Sequence, residues 1–181
     1  MEREKALALI NKYVSQVNLK KHMYAVEAVM RKIADTLGED RETWGLAGLL
    51  HDLDYDETVN DFEKHGFRTA EILSQEEVPE EVVHAIKAHP GHVSRESSLD
   101  RALYAVDPIT GLIIAATLMH PSKKLKEVDV GFLTRRFQDK RFAAGADREQ
   151  IKSCEEMGIP LDEFMQLSLE AMQSIDKDLG L

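Results

Sequence analysis

Apolar positions along this chain recur at helical intervals and almost never alternate. Between residues 2 and 17, Ile10, Tyr13, Val14 and Val17 follow the i, i+3, i+4, i+7 spacing of one buried helical face. A second helix is expected with Asn18 as its cap and Gly38 as its stop, and with His22, Val26, Val29 and Ile33 on one inward stripe. A third, from about Asp40, carries Trp44, Ala47, Gly48, Leu49 and Leu50 and arrives at His51-Asp52. A run that dense reads as a helix buried on more than one side.

The next stretch, Leu53 to Asn60, is acidic and aperiodic, which predicts a loop rimming whatever His51 and Asp52 bind. Residues 61 to 74 predict an amphipathic helix with His65, Thr69, Ile72 and Leu73 on or near one face. Pro79 then opens a short helix through Val82, Val83, Ile86 and His89, which Pro90-Gly91 ends. From Leu99 to about Met119 a strongly apolar face runs through Ala102, Leu103 and Val106 with Asp107 beside it, and Pro108 predicts a kink. Beyond Pro121 come a polar connection, a short helix holding Phe132, Leu133 and Phe137, and a loop at 143–146. The last helices are expected from about Arg148 to Met157, capped by Asp147, and from about Leu161 to Leu179. With no β-alternation of useful length, the fold class is all-α, a single domain over 1–181 with about eight to nine helices.

Composition narrows the function classes. A chain of 181 residues suits one core, and 43% hydrophobic residues beside 31% charged excludes a disordered chain. No stretch approaches the roughly 20 apolar residues of a bilayer span, and MEREKALALINKY lacks the apolar run of a signal peptide. A cytoplasmic location without a membrane partner is therefore expected. The single cysteine, Cys154, has no partner for a disulfide, and Glu155 and Glu156 beside it disfavour a thiolate nucleophile. A net charge of −10 argues against long nucleic acids as partners.

The chemistry concentrates in histidines and two misplaced acids. Four of seven histidines, His22, His51, His65 and His89, fall at the ends or on the inner faces of predicted helices. Asp52 stands in the apolar run GLAGLLHDLD, and Asp107 in ALYAVDPITGLIIAA. An unpaired carboxylate in such surroundings carries a penalty of several kcal/mol, and a divalent cation is the partner that relieves it.

His22, the doublet His51-Asp52 and Asp107, in that order, resemble the H...HD...D signature of the HD-domain metal-dependent phosphohydrolase superfamily. The likeness covers about residues 19–115, with helices of 121–181 expected to pack on that core. It is most similar to small HD hydrolases in which an HDLDY stretch precedes ALYAVDxxTG. The resemblance implies an all-helical HD-domain fold that hydrolyses phosphate mono- or diesters, commonly of nucleotides, with a bound divalent metal. Imidazole and carboxylate suit Mn²⁺, Fe²⁺, Co²⁺ or Zn²⁺ and admit Mg²⁺. Such an ion activates water, which would be the attacking group. His65 and His89 match the additional histidines of subgroups holding two metals, in which Asp52 would be the bridge.

Around this set lie the expected catalytic and substrate-binding residues. Asp54, Asp56 and Glu57 are candidates for proton transfer or as outer partners of the histidines, Asp54 the best of them. Leu53-Asp54-Tyr55 stands where many HD hydrolases have Gly-Lys, so that lysine's role does not transfer. Lys87, two residues before His89, is within reach of a substrate phosphate. Segment 121–141 holds seven basic residues against three acidic, and Lys123, Lys124 and Arg135 within it are expected to steer a small phosphorylated substrate. His84, nearly opposite His89 on its helix, His92 after the Pro-Gly turn and His120 are not expected as ligands. Two other readings use the same fold: a di-iron enzyme that cleaves a C–C or C–P bond with O₂, and a nucleotide sensor without turnover. The apolar C-terminal helix fits either completion of the core or pairing in a homodimer.

Overall fold

In the computed structural model, which describes residues 1–181, α1 (Arg3–Tyr13) buries Ala6, Leu9 and Ile10 in the common apolar core. Helix α2 (Val17–Leu37) starts one residue before the expected cap, with Gln16 at its N-terminus, and stops at Gly38 in the left-handed conformation. Asp40 caps α3 (Arg41–Leu50) by accepting from the Thr43 N–H at 2.7 Å. The most extensive helix contact in the molecule joins α2 to α3. It is close because Gly48 has no side chain: a Cβ there would lie 3.0 Å from backbone atoms of Val26 and Glu27. That approach sets His51, the residue after α3, beside His22 on α2.

The segment from Leu53 to Leu73 departs from expectation. A single helical turn, α4 (Tyr55–Thr58), interrupts the expected loop. The expected helix over 61–74 is broken into a 3-10 turn (Phe62–Lys64) and α5 (Phe67–Leu73). The break is at Gly66, whose φ of +78° suits glycine, and where a Cβ would come within 2.6 Å of the Ile86 carbonyl oxygen. His65 is therefore presented from an irregular corner rather than from a helix face. Next comes α6 (Glu80–Ala88), with His89 directly after it.

Helix α7 (Ser98–Met119) begins with a capping box between Ser97 and Asp100 and runs unbroken through Pro108. Proline has no N–H for the carbonyl four residues earlier, that of Tyr104. The Gln150 side-chain amide donates to that oxygen at 2.8 Å in its place. In length and composition α7 would cross a membrane, which corrects the expectation that no stretch comes close. Its apolarity has another cause here: it is the central helix, packed on α2 and α6 and on later elements of the chain.

Those later elements are α8 (Val130–Gln138), α9 (Arg148–Lys152) with a 3-10 continuation (Ser153–Met157), and α10 (Leu161–Gln173). The expected last helix stops at Gln173, and one further turn, α11 (Asp176–Leu179), comes after it. A single cluster of 45 buried apolar residues runs from Ala6 to Leu179, so the C-terminal helices share the core of the rest. Nine α-helices have five residues or more, none of the chain is strand, and the all-α expectation is met.

Candidate metal centre

Six side chains from five separate places in the chain converge at one end of the α2, α3 and α7 packing. His51, Asp52, His65 and His89 are buried, while His22 and Asp107 are partly open and face a cavity of about 490 Å³. Each histidine is held by its Nδ1. His51 donates to the Gly48 carbonyl at 2.9 Å and His89 to the Ile86 carbonyl at 2.6 Å; a carbonyl only accepts, so both Nδ1 atoms carry the proton. The Thr110 hydroxyl donates to the Asp107 carbonyl at 2.9 Å, which leaves its oxygen to accept from His22 Nδ1 at 3.0 Å. His65 Nδ1 donates to Asp54 Oδ1 at 2.7 Å. In their neutral forms all four imidazoles thus turn an Nε2 lone pair inward, the arrangement of metal-binding imidazoles whose other nitrogen is anchored.

The inward atoms fit a cation better than they fit each other. His22 Nε2 and His51 Nε2 are 3.2 Å apart, and each needs a positive partner. Asp107 Oδ1 lies 3.1 Å from His22 Nε2 and 3.8 Å from His51 Nε2. Asp52 Oδ2 lies 3.6 and 3.4 Å from the same two atoms. Ligands bonded to one ion at about 2.1 Å stand about 3.0 to 3.4 Å apart, so this quartet is close to a coordination shell. The other oxygen, Asp52 Oδ1, faces His65 Nε2 at 3.3 Å and His89 Nε2 at 3.6 Å, and these two nitrogens are 3.1 Å apart. The two oxygens of one carboxylate thus face different pairs of imidazoles, and two overlapping groups of donors, His22, His51 and Asp107 on one side and His51, Asp52 and His89 on the other, are close enough to hold a metal ion.

The HD domain family model matches residues 19–120, more than half of the chain. The chain belongs to the HD domain family. No solved structure matches it. HD domains are in general metal-dependent hydrolases, and the matched range contains all six side chains that converge here, among them a His/Asp cluster that could hold a metal.

Without an ion, the electrostatics of this HD domain are those of two ionised acids among imidazoles. Burial pushes the Asp52 carboxyl up, but His51, His65 and His89 around it hold it well below the usual carboxylate range. Asp107 is lowered in the same way, the cost of burial being outweighed by the hydrogen bond with His22. Burial pushes His65 down, and its hydrogen bonds to Asp52 and Asp54 outweigh that and raise it to about 9. His51 is raised against its burial by Asp52, whereas burial wins at His89 and lowers it. A cation bound here through His65 would compete with that proton, and metal affinity would then be linked to pH.

Asp54 is completely buried and has no freedom to carry a proton to substrate. Its Oδ2 accepts from the Gly66 N–H at 2.8 Å and the Thr69 N–H at 2.9 Å, and its Oδ1 holds His65. It anchors His65, the outer-partner role, and the catalytic role expected of it is corrected. Asp56 accepts from Ser15 and Gln16 and ties α4 to the start of α2, and Glu57 pairs with Arg68. The cavity is lined by His22, Asp52, His65, His89 and Asp107 with Gln16, Leu19, Tyr55, Phe62, Pro90, Tyr104 and Gln150. Lys87 does not reach it. Lys123 and Lys124 are exposed beyond the C-terminal end of α7, about 20 Å along the helix axis from Asp107, Arg135 is exposed on α8, and none of the three lines the cavity. Their charge was legible but their distance was not. His84 pairs with Asp100, His92 with the Phe62 carbonyl and His120 with Ser122, all away from the cluster.

Sequence reasoning passed over Thr110, Gln150 and Gly66. Thr110 had a signal, since it lies three residues after Asp107 and so on its side of α7. Gln150 had none, being 46 residues from the carbonyl it serves.

Proposed function

We propose that this HD domain is a metal-dependent phosphohydrolase that cleaves a small phosphate ester, of nucleotide size, with water as the nucleophile. The observation that carries the reading is Asp52, whose Oδ2 faces His22 and His51 and whose Oδ1 faces His65 and His89, all at 3.3 to 3.6 Å. A divalent ion bound there would lower the pKa of water toward neutrality and polarise a phosphoryl oxygen. His22, His51, Asp52 and Asp107 would hold the first ion, and Asp52, His65 and His89 the second.

The rest of the cavity supports water as the attacking group. It has no serine, threonine, cysteine or lysine in its lining, and Cys154 is buried elsewhere with its thiol pushed up to about 12 by burial. Outside the cluster it has no acid either, so the phenols of Tyr55 and Tyr104 are the protein O–H groups available to a leaving oxygen. Gln16 and Gln150 offer amide donors to substrate oxygens, and Leu19, Phe62 and Pro90 supply the apolar wall for the organic part. A volume of about 490 Å³ accommodates a small molecule.

The di-iron oxygenase is the second reading, and the closure of His65 and His89 on Asp52 Oδ1 is what favours it. One experiment separates the two. The purified protein and Asp52→Ala are compared for metal content and for phosphate release from a panel of phosphate esters and nucleotides. One or two equivalents of metal, with phosphate release reduced about a thousandfold or more by the substitution, supports the hydrolase. Retained iron with oxygen consumption and no phosphate release supports the oxygenase, and failure to bind any divalent metal overturns both.

A further inference from the structure

We propose that the substrate carries a second anionic group, a phosphate or carboxylate roughly 10 Å from the first, and that Arg95 and Arg101 bind it in a neighbouring cavity. The first anchor, at the His–Asp cluster, rests on the phosphohydrolase reading; the second rests on geometry independent of it.

A second hollow of about 480 Å³ adjoins the metal cavity, lined by Gly91, Ser94, Arg95, Arg101, Tyr104 and Glu156 among others. Tyr104 lines both hollows. The turn after α6 also serves both, Pro90 lining the first and its neighbour Gly91 the second. Asp107, Tyr104 and Arg101 succeed one another at three-residue spacing on α7, as neighbours on its surface. Ligand acid, aromatic wall and cation thus lie in sequence over about 9 Å of helix axis.

The cations in the second hollow have donors to spare. The Arg95 guanidinium stacks on the Tyr104 ring, its carbon 4.0 Å from the ring centre, which fixes its plane while leaving its N–H edges free to bond. One of those groups donates to Glu156 Oε1 at 3.1 Å. Arg101 comes no nearer than 3.8 Å to Glu156 Oε2, too far for a hydrogen bond. Two guanidinium groups therefore share one carboxylate, and no other acid lines the hollow. A surplus positive charge on a concave surface is conspicuous in a chain of net charge −10. It is matched to a planar or tetrahedral oxyanion, which guanidinium groups bind by paired N–H bonds. Glu156, itself partly exposed, occupies the place such an anion would take and is the group it would displace.

Binding of two hydrolysis-resistant probes tests this by calorimetry on the full chain with manganese present: hexane bisphosphonate, whose heads are about 9 Å apart when extended, and hexyl phosphonate with one head. The bisphosphonate is expected to bind about tenfold or more tightly than the monophosphonate, a ratio typical of one added charge-assisted contact. Arg95→Gln or Arg101→Gln should bring that ratio toward one. Glu156→Gln should raise it, a gain that a misfolded protein would not produce. Equal binding of the two probes by the unaltered protein, or a ratio indifferent to both arginine substitutions, overturns the subsite. Hydrolysis of p-nitrophenyl phosphate, which has a single anionic group, is measured alongside. Turnover with equal probe binding removes the subsite and keeps the hydrolase; a tenfold ratio without turnover keeps the subsite and removes the hydrolase.

Discussion

On the Oδ2 side of Asp52, His22, His51 and Asp107 stand on or directly after three regular helices, α2, α3 and α7, whose mutual packing is the core itself. On the Oδ1 side, His89 comes after the short helix α6, and His65 is held in an irregular corner between a 3-10 turn and α5. The first group is placed by apolar burial spread over many residues. The second depends on a few polar contacts: Asp54 with His65, Gly66 and Thr69, and the Ile86 carbonyl with His89. A loss spread over many contacts is diluted, whereas removing one of a few is not. The two halves of the centre should therefore fail separately, with the Oδ1 half failing first.

Gly66→Ala is the strongest test of that separation. The new methyl would be 2.6 Å from the Ile86 oxygen, which also orients His89, at a φ of +78° that L-residues resist. Strain and displacement together should destabilise the protein by about 2 to 4 kcal/mol in chemical denaturation. Metal content should fall from two equivalents toward one, because the Oδ2 set does not touch this corner. Equal loss of both equivalents would show that the halves are one unit.

Legibility in the sequence divides along the same line. His22, His51 and Asp107 lie in long periodic segments, where apolar spacing sets both the element and the inward face, and the structure brings them together. For His65 the apolar spacing over 61–74 predicts a continuous helix, and an isolated glycine inside such a pattern is no local signal of a break. The reason Gly66 breaks it is the approach of α6, a tertiary contact with no local signature. The sequence leaves Asp54 open between proton transfer and an outer-partner role for a similar reason, since the partners that decide it are 11 to 15 residues away. The basic segment 121–141 shows the converse error: composition was read correctly, but position along α7 puts Lys123 and Lys124 out of reach.

Acidity sharpens the comparison in the metal-free protein. His65 is raised to about 9, so its contribution to stability is complete below pH 6.5 and is lost as pH rises through 9. His89 is lowered, so its contribution is present above pH 6.5 and is lost only as pH falls through its lower folded value. Between pH 6.5 and 9 the melting temperature of the metal-free protein should therefore decline, a trend to which the raised His51 also contributes. Loaded with metal, whose ligands are already deprotonated, the protein should lose that slope. A metal-free protein equally stable at pH 6.5 and 9 would contradict the proposed protonation of His65.

Thr110→Val addresses the regular half. It keeps the branched shape but removes the oxygen that accepts from His22 Nδ1. The freed imidazole can rotate, and affinity at the Oδ2 set should drop about 10- to 100-fold, the usual effect of losing such an outer partner. Titration of metal into the variant should show one weakened site and one unchanged; two weakened sites would mean that the shared Asp52 couples them.

The smallest effect should come from Gln150→Leu, and it asks how α7 tolerates Pro108 so close to a candidate ligand. Proline leaves the Tyr104 carbonyl without its helical donor, and Gln150, reaching across from α9, is the replacement. Leucine would fill similar space and leave that oxygen unsatisfied at the wall of the cavity, a loss of about 1 to 2 kcal/mol. Because Asp107 is in the same turn as Pro108, relaxation of the helix there should also shift the Oδ2 set. A drop in stability with unchanged metal affinity would mean that the core, and not the Gln150 bridge, holds Asp107 in register. A matching loss at the first site alone would place the bridge among the devices that hold the regular half together, and would give that half a further polar dependence beside the Thr110 contact with His22.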